Sequence, residues 1–199
     1  MIDAGDRPSV RLEWLTAAHE VQRLAAVQES LPSLLDAFYW CADPYGADDN
    51  RQWLAFADAG RLGMREFIFA VMRADSGAFI GEAALDELDT DAGSANLSYW
   101  IRQRDRGQGF ATMAAAAAAR FAFHELGLLS LRVMSAVDNV ASLRVIGKLG
   151  AAAALSAVVD TETETDTEGY ALLLPPTLAF VLEAQHWPQR QPAGKGRGS

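Results

Sequence analysis

The sequence predicts an α/β protein in which strands and helices alternate within one domain. Segments of alternating apolar and polar residues, typical of half-buried strands, recur between helical segments. The clearest strand, Ala95–Arg102, runs into two closely spaced glycines, Gly107 and Gly109, and then into the alanine-rich segment Ala111–Leu126. A length of 199 residues suits a single domain with a substantial core.

The first third of the chain is predicted to hold one strand and two helices. Val10–Leu15 alternates apolar and polar residues and is the expected first strand. Thr16 is a suitable N-cap for a helix to about Glu29, after which Ser30-Leu-Pro-Ser is expected to restart the chain. The expected segments that follow are an aromatic-rich stretch over 34–40, a loop over 41–46, and a helix from Asp48 or Asp49 to about Gly60.

The middle of the chain is predicted to be a β-hairpin that leads into the strand Ala95–Arg102. Phe67–Met72 and Ala78–Leu85 form the hairpin around Asp75-Ser-Gly77. Asp86–Ser94 is expected to be an acidic turn.

After the glycines, helices and strands are expected to alternate again. In Ala111–Leu126, alanine favours a helix whose apolar face packs on the sheet. The remaining predictions are a strand over Leu131–Val137, a helix over Asn139–Leu149 ended by Gly150, a hairpin of Leu155–Val159 with Tyr170–Leu174, a helix over 177–187 and a disordered tail over 188–199.

The glycine turn has the chemistry of a phosphate site. Glycine lets the backbone approach a ligand closely, and a helix start presents unpaired N–H groups backed by the helix dipole. Arg102, Arg104 and Arg106 surround this turn in a chain of net charge −9. A P-loop is excluded because Phe110-Ala111 stands where Lys-Ser/Thr is required, and the dinucleotide fingerprint is excluded because it needs a third glycine.

Two motifs together identify a family. Arg104-x-x-Gly107-x-Gly109, followed by a helix, a strand and Asn139-x-x-Ser142-x-x-Val145-x-x-Lys148-Leu-Gly150, resembles the GNAT N-acetyltransferases. The branch it resembles is the RimJ/RimL-like one, whose members acetylate the N-termini of ribosomal proteins. The resemblance is strong over 95–150 and weaker over 10–175.

This resemblance implies a GNAT domain over 8–176: an α/β (α+β) fold whose mixed central sheet is splayed at the cofactor site and flanked by helices. The strand Ala95–Arg102 would pair with the pantetheine arm of acetyl-CoA, the co-substrate, and the thioester would lie where this strand leaves Leu131–Val137. The residues implied in cofactor binding are Ile101, Arg102, Arg104, Arg106, Gly107, Gln108, Gly109, Ala111, Thr112, Asn139, Ser142 and Lys148.

Several of these residues also have ordinary structural explanations. Asn139 is a good helix cap, and Lys148 is equally typical of an exposed helix surface. Arg104, Arg106 and Gln108 are also what a solvated loop contains.

The catalytic positions depart from the usual pattern of the family. Many GNAT enzymes have a tyrosine seven residues after the motif asparagine and a glutamate five residues before it, but these positions hold Ile146 and Met134. In the ribosomal-protein branch the hydroxyl three residues after the asparagine is a candidate acid, which makes Ser142 the expected proton donor. A serine in the first turn of a helix is also a common cap. The candidate bases are Glu82, Asp160 and Glu162.

The expected reaction is transfer of an acetyl group to a primary amine, either a protein N-terminus or a small amine. The acidic segments Asp86–Asp91 and Asp160–Glu168 favour a cationic acceptor. Two alternatives remain open: a catalytically silent CoA-binding module of the same fold, and an acyltransferase that uses another acyl-CoA or a hydroxyl acceptor.

Composition excludes several classes. A pI of 4.8 argues against nucleic-acid and anionic-membrane partners, and no apolar run approaches the ~20 residues of a membrane span. Cys41 is the single cysteine and the three histidines lack ligand spacing, so neither a disulfide nor a metal site is expected. The N-terminus lacks a signal-peptide pattern, which favours a cytoplasmic protein. A homodimer is an expectation that rests on the resemblance alone.

Overall fold

The computed structural model describes residues 9–159, 164–165, 171–172 and 177–187. Its strands are β1 (Val10–Trp14), β2 (Phe67–Arg73), β3 (Phe79–Asp89), β4 (Ser94–Ile101), β5 (Ser130–Ala136), β6 (Ala152–Val159), β7 (Glu164–Thr165), β8 (Ala171–Leu172) and β9 (Thr177–Glu183). Its helices are α1 (Glu20–Leu35), α2 (Ala47–Leu62), α3 (Phe110–His124) and α4 (Val140–Leu149).

Seven of these strands form one mixed sheet in the order β1-β2-β3-β4-β5-β9-β6, and β7 pairs with β8. Strands β1 to β4 are antiparallel, β4 and β5 are parallel, and β9 is antiparallel to both β5 and β6. The predicted α/β class and mixed sheet are confirmed.

The sheet is splayed between β4 and β5. Both strands are fully described, and their pairing begins at Ser94 and ends at Asn96, which lies opposite Arg132. Beyond that point β4 continues to Ile101 and β5 to Ala136 without pairing to each other. The open V that the family resemblance implies is therefore present.

Helices cover both faces of the sheet. Helices α1 and α2 pack with Ala84 and Trp100 on one face. Helices α3 and α4 pack on the other face with Leu97 and Ile101. Residues of β4 thus alternate between the two faces, as the pleat requires.

The start of the chain differs from its prediction in one helix. Thr16 precedes a short 3₁₀ turn, Ala17–His19, and α1 then runs without a restart through Pro32 to Leu35. Proline removes one donor from the helix, but the Ser33 hydroxyl donates to the Ser30 carbonyl at 2.8 Å, and Ser30 and Leu34 are buried. Burial of these residues therefore keeps the helix continuous despite the tendency of proline to end a helix.

The C-terminal part also differs. The helix predicted over 177–187 is wrong, because Thr177–Glu183 forms β9, whose insertion between β5 and β6 pairs its backbone on both sides. The predicted hairpin is wrong for the same reason: β6 pairs with β9, and Ala171–Leu172 pairs with Glu164–Thr165. The predicted tail, 188–199, lies outside the described residues.

Strand β3 is longer than predicted and runs to Asp89, so Asp86 belongs to a strand rather than to a turn. The predicted helix at Asp48 or Asp49 begins one or two residues earlier, at Ala47, where Asp49 caps it by accepting from the Gly46 N–H at 2.8 Å. The other predicted strands and helices agree with the structure within a few residues.

Candidate active site

The glycine turn lies directly before α3. Gly107 and Gly109 have φ values of 76° and 85°, a region that side chains with a Cβ rarely adopt. A Cβ at either position would meet no atom within 4 Å. The two glycines are therefore required by backbone conformation, and the space beside them is open.

The backbone of this turn offers a row of free donors. Gly109 is the N-cap of α3 and provides no side-chain cap. From Gly107 to Thr112, no backbone N–H donates to an acceptor among the described residues. Six adjacent donors at a helix N-terminus form an anion site of the kind that binds phosphate.

The three arginines of the turn do not share one position. Arg102 pairs with the buried Asp105, which also lies 3.3 Å from Arg73 and so ties the turn to β2. Arg106 donates to the Ile101 carbonyl at 2.9 Å and to the Ser33 hydroxyl at 2.6 Å. Arg104 is 65% exposed and lies 3.5 Å from Glu29. Arg104 and Gln108 thus keep exposed side chains at the turn, while the other two arginines brace it.

The open side of the V presents main-chain groups. The Arg102 N–H donates to the Ile80 carbonyl of β3 at 2.8 Å. Because bonded and non-bonded pairs alternate in an antiparallel ladder, the backbone groups of Tyr99 and Ile101 point away from β3. The bond from Arg106 to the Ile101 carbonyl on that side agrees with this direction. Apart from the Ile101 carbonyl, this edge of β4 is therefore unpaired and faces the gap.

A pair of hydroxyls bridges the gap between β4 and α4. Asn139 caps α4 by accepting from the Ser142 N–H at 3.0 Å, which confirms its capping role. The Ser142 hydroxyl lies 3.2 Å from the Tyr99 hydroxyl. Burial raises the pKa of Tyr99 above its usual value, although the bond to Ser142 opposes this. Tyr99 is therefore protonated at neutral pH.

Tyr99 was not among the residues predicted from the sequence. Strand alternation could have placed it on the same face as Leu97 and Ile101. Its contact with Ser142, 43 residues away, depends on the fold. Ile146, at the usual tyrosine position, is buried in the core, and Met134 is 41% exposed. Lys148 is exposed in the last turn of α4.

Glu82, a predicted candidate base, is committed to a buried network. Its two oxygens accept from Arg23 and from the Trp100 indole, the latter at 3.1 Å, and Glu82 is 3% exposed. Arg23 also donates to Tyr45 and, at 2.7 Å, to Asn50. Glu82 therefore joins β3 to α1, and both of its oxygens are already engaged by donors. Asp160 and Glu162, the other candidates, lie outside the described residues.

Asp86 is a carboxylate at the apex of the V. It lies opposite Asn96, the last β4 residue that pairs with β5. Asp86 accepts from the Asn96 amide at 2.8 Å and from the Ser98 hydroxyl at 3.4 Å. Burial and the nearby Glu87 raise the pKa of Asp86, while these hydrogen bonds and Arg132 oppose the rise. Asp86 is two residues from Ala84 in β3, so it lies on the α1/α2 face with Ala84 and Trp100, opposite Tyr99 and Ser142.

Other kinds of site find no support where the structure describes the chain. No group of three or more His, Cys, Asp or Glu residues there could hold a metal ion. Within the same residues, no helix is long and apolar enough to cross a membrane.

Comparison with known proteins identifies the family. Residues 3–152 match the family described as the acetyltransferase (GNAT) domain, so the chain belongs to the GNAT acetyltransferases. It is accordingly an acyltransferase with acetyl-CoA as co-substrate and an amine as acceptor. No curated protein sequence matches the chain at a significant level.

Solved structures share the fold at low identity. RimL, a ribosomal L7/L12 α-N-protein acetyltransferase in complex with coenzyme A, is 12% identical with a TM-score of 0.76 over 88% of this chain and 94% of its own. The ribosomal-protein-S5-alanine acetyltransferase from Vibrio fischeri is 14% identical, with a TM-score of 0.72 over 92% and 97%. A spermidine N-acetyltransferase chimera from Vibrio cholerae and hSSAT is 17% identical, with a TM-score of 0.68 over 90% and 98%.

Proposed function

We propose that acetyl-CoA binds with its pyrophosphate on the Gly107–Thr112 turn and its pantetheine arm along the open edge of β4. The observation that carries this proposal is the row of backbone N–H groups without acceptors at the start of α3. Phosphate oxygens would satisfy these donors and gain from the helix dipole. The backbone groups of Tyr99 and the Ile101 N–H would pair with the amides of the arm, as a neighbouring strand does.

The acetyl group would then lie at the apex of the V, between two sets of proton-transferring groups. Asp86 lies beside the apex on the α1/α2 face, where it contacts Asn96 of β4, and the Tyr99–Ser142 pair spans the gap on the α4 face. We assign Asp86 as the group that accepts a proton from the acceptor ammonium. Tyr99 and Ser142 act together as the donor to the leaving sulfur.

The proton balance of this reaction is complete. The ammonium loses a proton to Asp86, and the neutral amine attacks the acetyl carbonyl carbon, forming the C–N bond. The C–S bond breaks as the electron pair leaves on sulfur, which takes its proton from the hydroxyl pair. The second amine proton returns to that pair, directly or through water, and Asp86 releases its proton to solvent. The products are the amide, CoA thiol and one proton.

The acceptor in this proposal is a primary amine, either a protein N-terminus or a small amine. The solved structures that share this fold include acetyltransferases of both kinds of amine: one is named for a ribosomal protein and another for spermidine. Arg104 and Gln108 contribute exposed polar groups beside the phosphates, and Asn139 shapes the start of α4 next to the cofactor.

Replacing Gly109 with valine tests the cofactor site. A Cβ branch would occupy the open space beside the free donors, and losing two or more hydrogen bonds to a charged group would weaken CoA binding more than about 100-fold. Gly77→Val is the matched control: Gly77 has a φ of 67° and also has no atom within 4 Å of an added Cβ, so the backbone strain is similar. Calorimetry should show lost CoA affinity in the first variant only. Equal affinity in both folded variants would contradict the proposal.

A further inference from the structure

We propose that the acceptor is a small primary amine with a flat apolar or aromatic body, held in an aromatic pocket on the α1/α2 face with its ammonium directed at Asp86. This inference rests on the proposed function and names the substrate class of the same site.

The pocket lies between α2 and the segment that follows α1. Its volume is about 300 Å³, which is at the lower end for small-molecule sites. The residues that line it are Tyr39, Trp40, Asp49, Gln52, Trp53 and Phe56. Tyr39 is 93% exposed and Phe56 is 42% exposed. Exposed aromatic rings gathered around one cavity are a mark of a binding surface.

The rings form a connected wall. Trp53 stands between Trp40 and Phe56, with ring centroids 5.0 Å and 5.4 Å away and tilts near 30°. Trp40 in turn lies 6.3 Å from Trp100 of β4. The wall therefore connects the pocket with the strand that would hold the acetyl donor. Flat rings of this kind favour a flat apolar partner, because stacked and edge contacts add to the area buried.

Charge decides which end of the ligand enters the pocket. The Arg23 guanidinium carbon lies 5.0 Å from the Trp40 centroid and 5.6 Å from the Trp53 centroid, so a buried cation already lies against both rings. A second cation over them would be repelled, even though Glu82 balances the charge of Arg23. Asp49 also lines the pocket, but its charge is offset by the Gly46 N–H from which it accepts and by the positive end of the α2 dipole. The pocket thus suits the neutral body of a ligand.

Negative charge lies further along the same face of the sheet. Trp100, which Trp40 contacts, and Ser98 are alternate residues of β4 and so share one face, and the Ser98 hydroxyl donates to Asp86 at 3.4 Å. Asp86 therefore lies on the face that carries the pocket, towards the apex of the V. The adjacent Glu87 is paired with Arg132, whereas Asp86 accepts only from neutral groups. An ammonium group beside the apex would be attracted to Asp86.

The experiment compares two amines that differ only in their body. 2-Phenylethylamine and ethylamine carry the same ammonium group, so the ratio of their kcat/KM values isolates the pocket. We expect the kcat/KM of the wild type to be about tenfold or more higher for 2-phenylethylamine, because burial of its ring adds apolar contact. In a Tyr39→Ala/Phe56→Ala variant this ratio should fall about tenfold. Both side chains are exposed, so the core should remain intact.

The control is Leu62→Ala, which removes another exposed apolar side chain of α2 outside the pocket and should preserve the ratio. Calorimetric titration of 2-phenylethylamine into each protein saturated with CoA gives a second readout that needs no turnover. Equal kcat/KM values for the two amines in the wild type, or a ratio unchanged in the double variant, would overturn the inference. If the wild type does not bind CoA at all, the proposed function is contradicted rather than this inference.

Discussion

The two candidate sites, one on each side of the sheet, consist of different chemical groups. On the α3/α4 side, the candidate cofactor site consists mainly of backbone groups: the N–H row of Gly107–Thr112 and the free edge of β4. On the α1/α2 side, the candidate acceptor site consists of side chains, chiefly aromatic rings and Asp86. A backbone site depends on conformation, while a side-chain site depends on residue identity. The cofactor side should therefore respond to changes in φ, and the acceptor side to changes in side chain.

The largest expected effect concerns how the acceptor side is held in place. Arg23 is fully buried and bonds Glu82, Tyr45 and Asn50, joining α1 and α2 to β3. Arg23→Ala leaves Glu82 buried and unpaired, so the free energy of unfolding should fall by about 3–5 kcal/mol. Denaturant unfolding monitored by tryptophan fluorescence measures this loss.

The control for that variant is Arg51→Ala, which breaks an exposed pair between the same two helices. It should leave the unfolding midpoint nearly unchanged. A small effect of Arg23→Ala would mean that the network does not stabilise this face.

The next effect concerns Asp86 as proton acceptor. Asp86→Asn keeps the shape of the side chain and one acceptor oxygen for Asn96 but cannot take a proton, so kcat/KM for the amine should fall by about 10²–10³-fold. In the wild type the group must be ionised, so activity should be lost as pH falls through its pKa. Because burial raises that pKa, the acid limb should lie above the usual range for aspartate. A pH–rate profile of both proteins measures the limb, and its survival in Asp86→Asn would assign the base elsewhere.

A smaller effect is expected at the hydroxyl pair. Tyr99→Phe should lower kcat about tenfold with little change in the affinity for CoA, because the lost interaction serves the leaving sulfur. Ser142→Ala should behave similarly, and the double variant should lose less than the two effects combined if the hydroxyls act as a unit.

A change of leaving group in the acetyl donor distinguishes a role of Tyr99 as proton donor from a structural role. A selenium analogue of acetyl-CoA has a leaving group that needs less help from an acid, so the penalty of Tyr99→Phe should shrink with it. An equal penalty with both donors would make Tyr99 a packing residue only.

The difference between the faces also explains what the sequence could predict. The turn at Gly107 and Gly109 and the cap at Asn139 are local, because neighbouring residues dictate their conformation, and both were predicted. Strand alternation likewise located β4 correctly within one residue at each end.

What the sequence did not predict depends on distant contacts. Tyr99 meets Ser142 only when β4 and α4 are brought together, and Trp40 reaches Trp100 only when the segment after α1 packs on the sheet. Strand β9 was mistaken for a helix because its pairing partners, β5 and β6, lie elsewhere in the sequence. The helix restart predicted at Pro32 was wrong for a similar reason, because burial of Ser30 and Leu34 against distant residues keeps α1 continuous.

The central claim is that the backbone at the start of α3 and the free edge of β4 bind the cofactor. Site-resolved amide hydrogen exchange, measured with and without CoA, tests it most directly. Without CoA, the N–H groups of residues 107–112 should exchange rapidly because they lack acceptors. With saturating CoA, several of them and the N–H groups of Tyr99 and Ile101 should become protected, while Gly77 should not change. Unchanged exchange at residues 107–112 in the CoA complex would contradict the account.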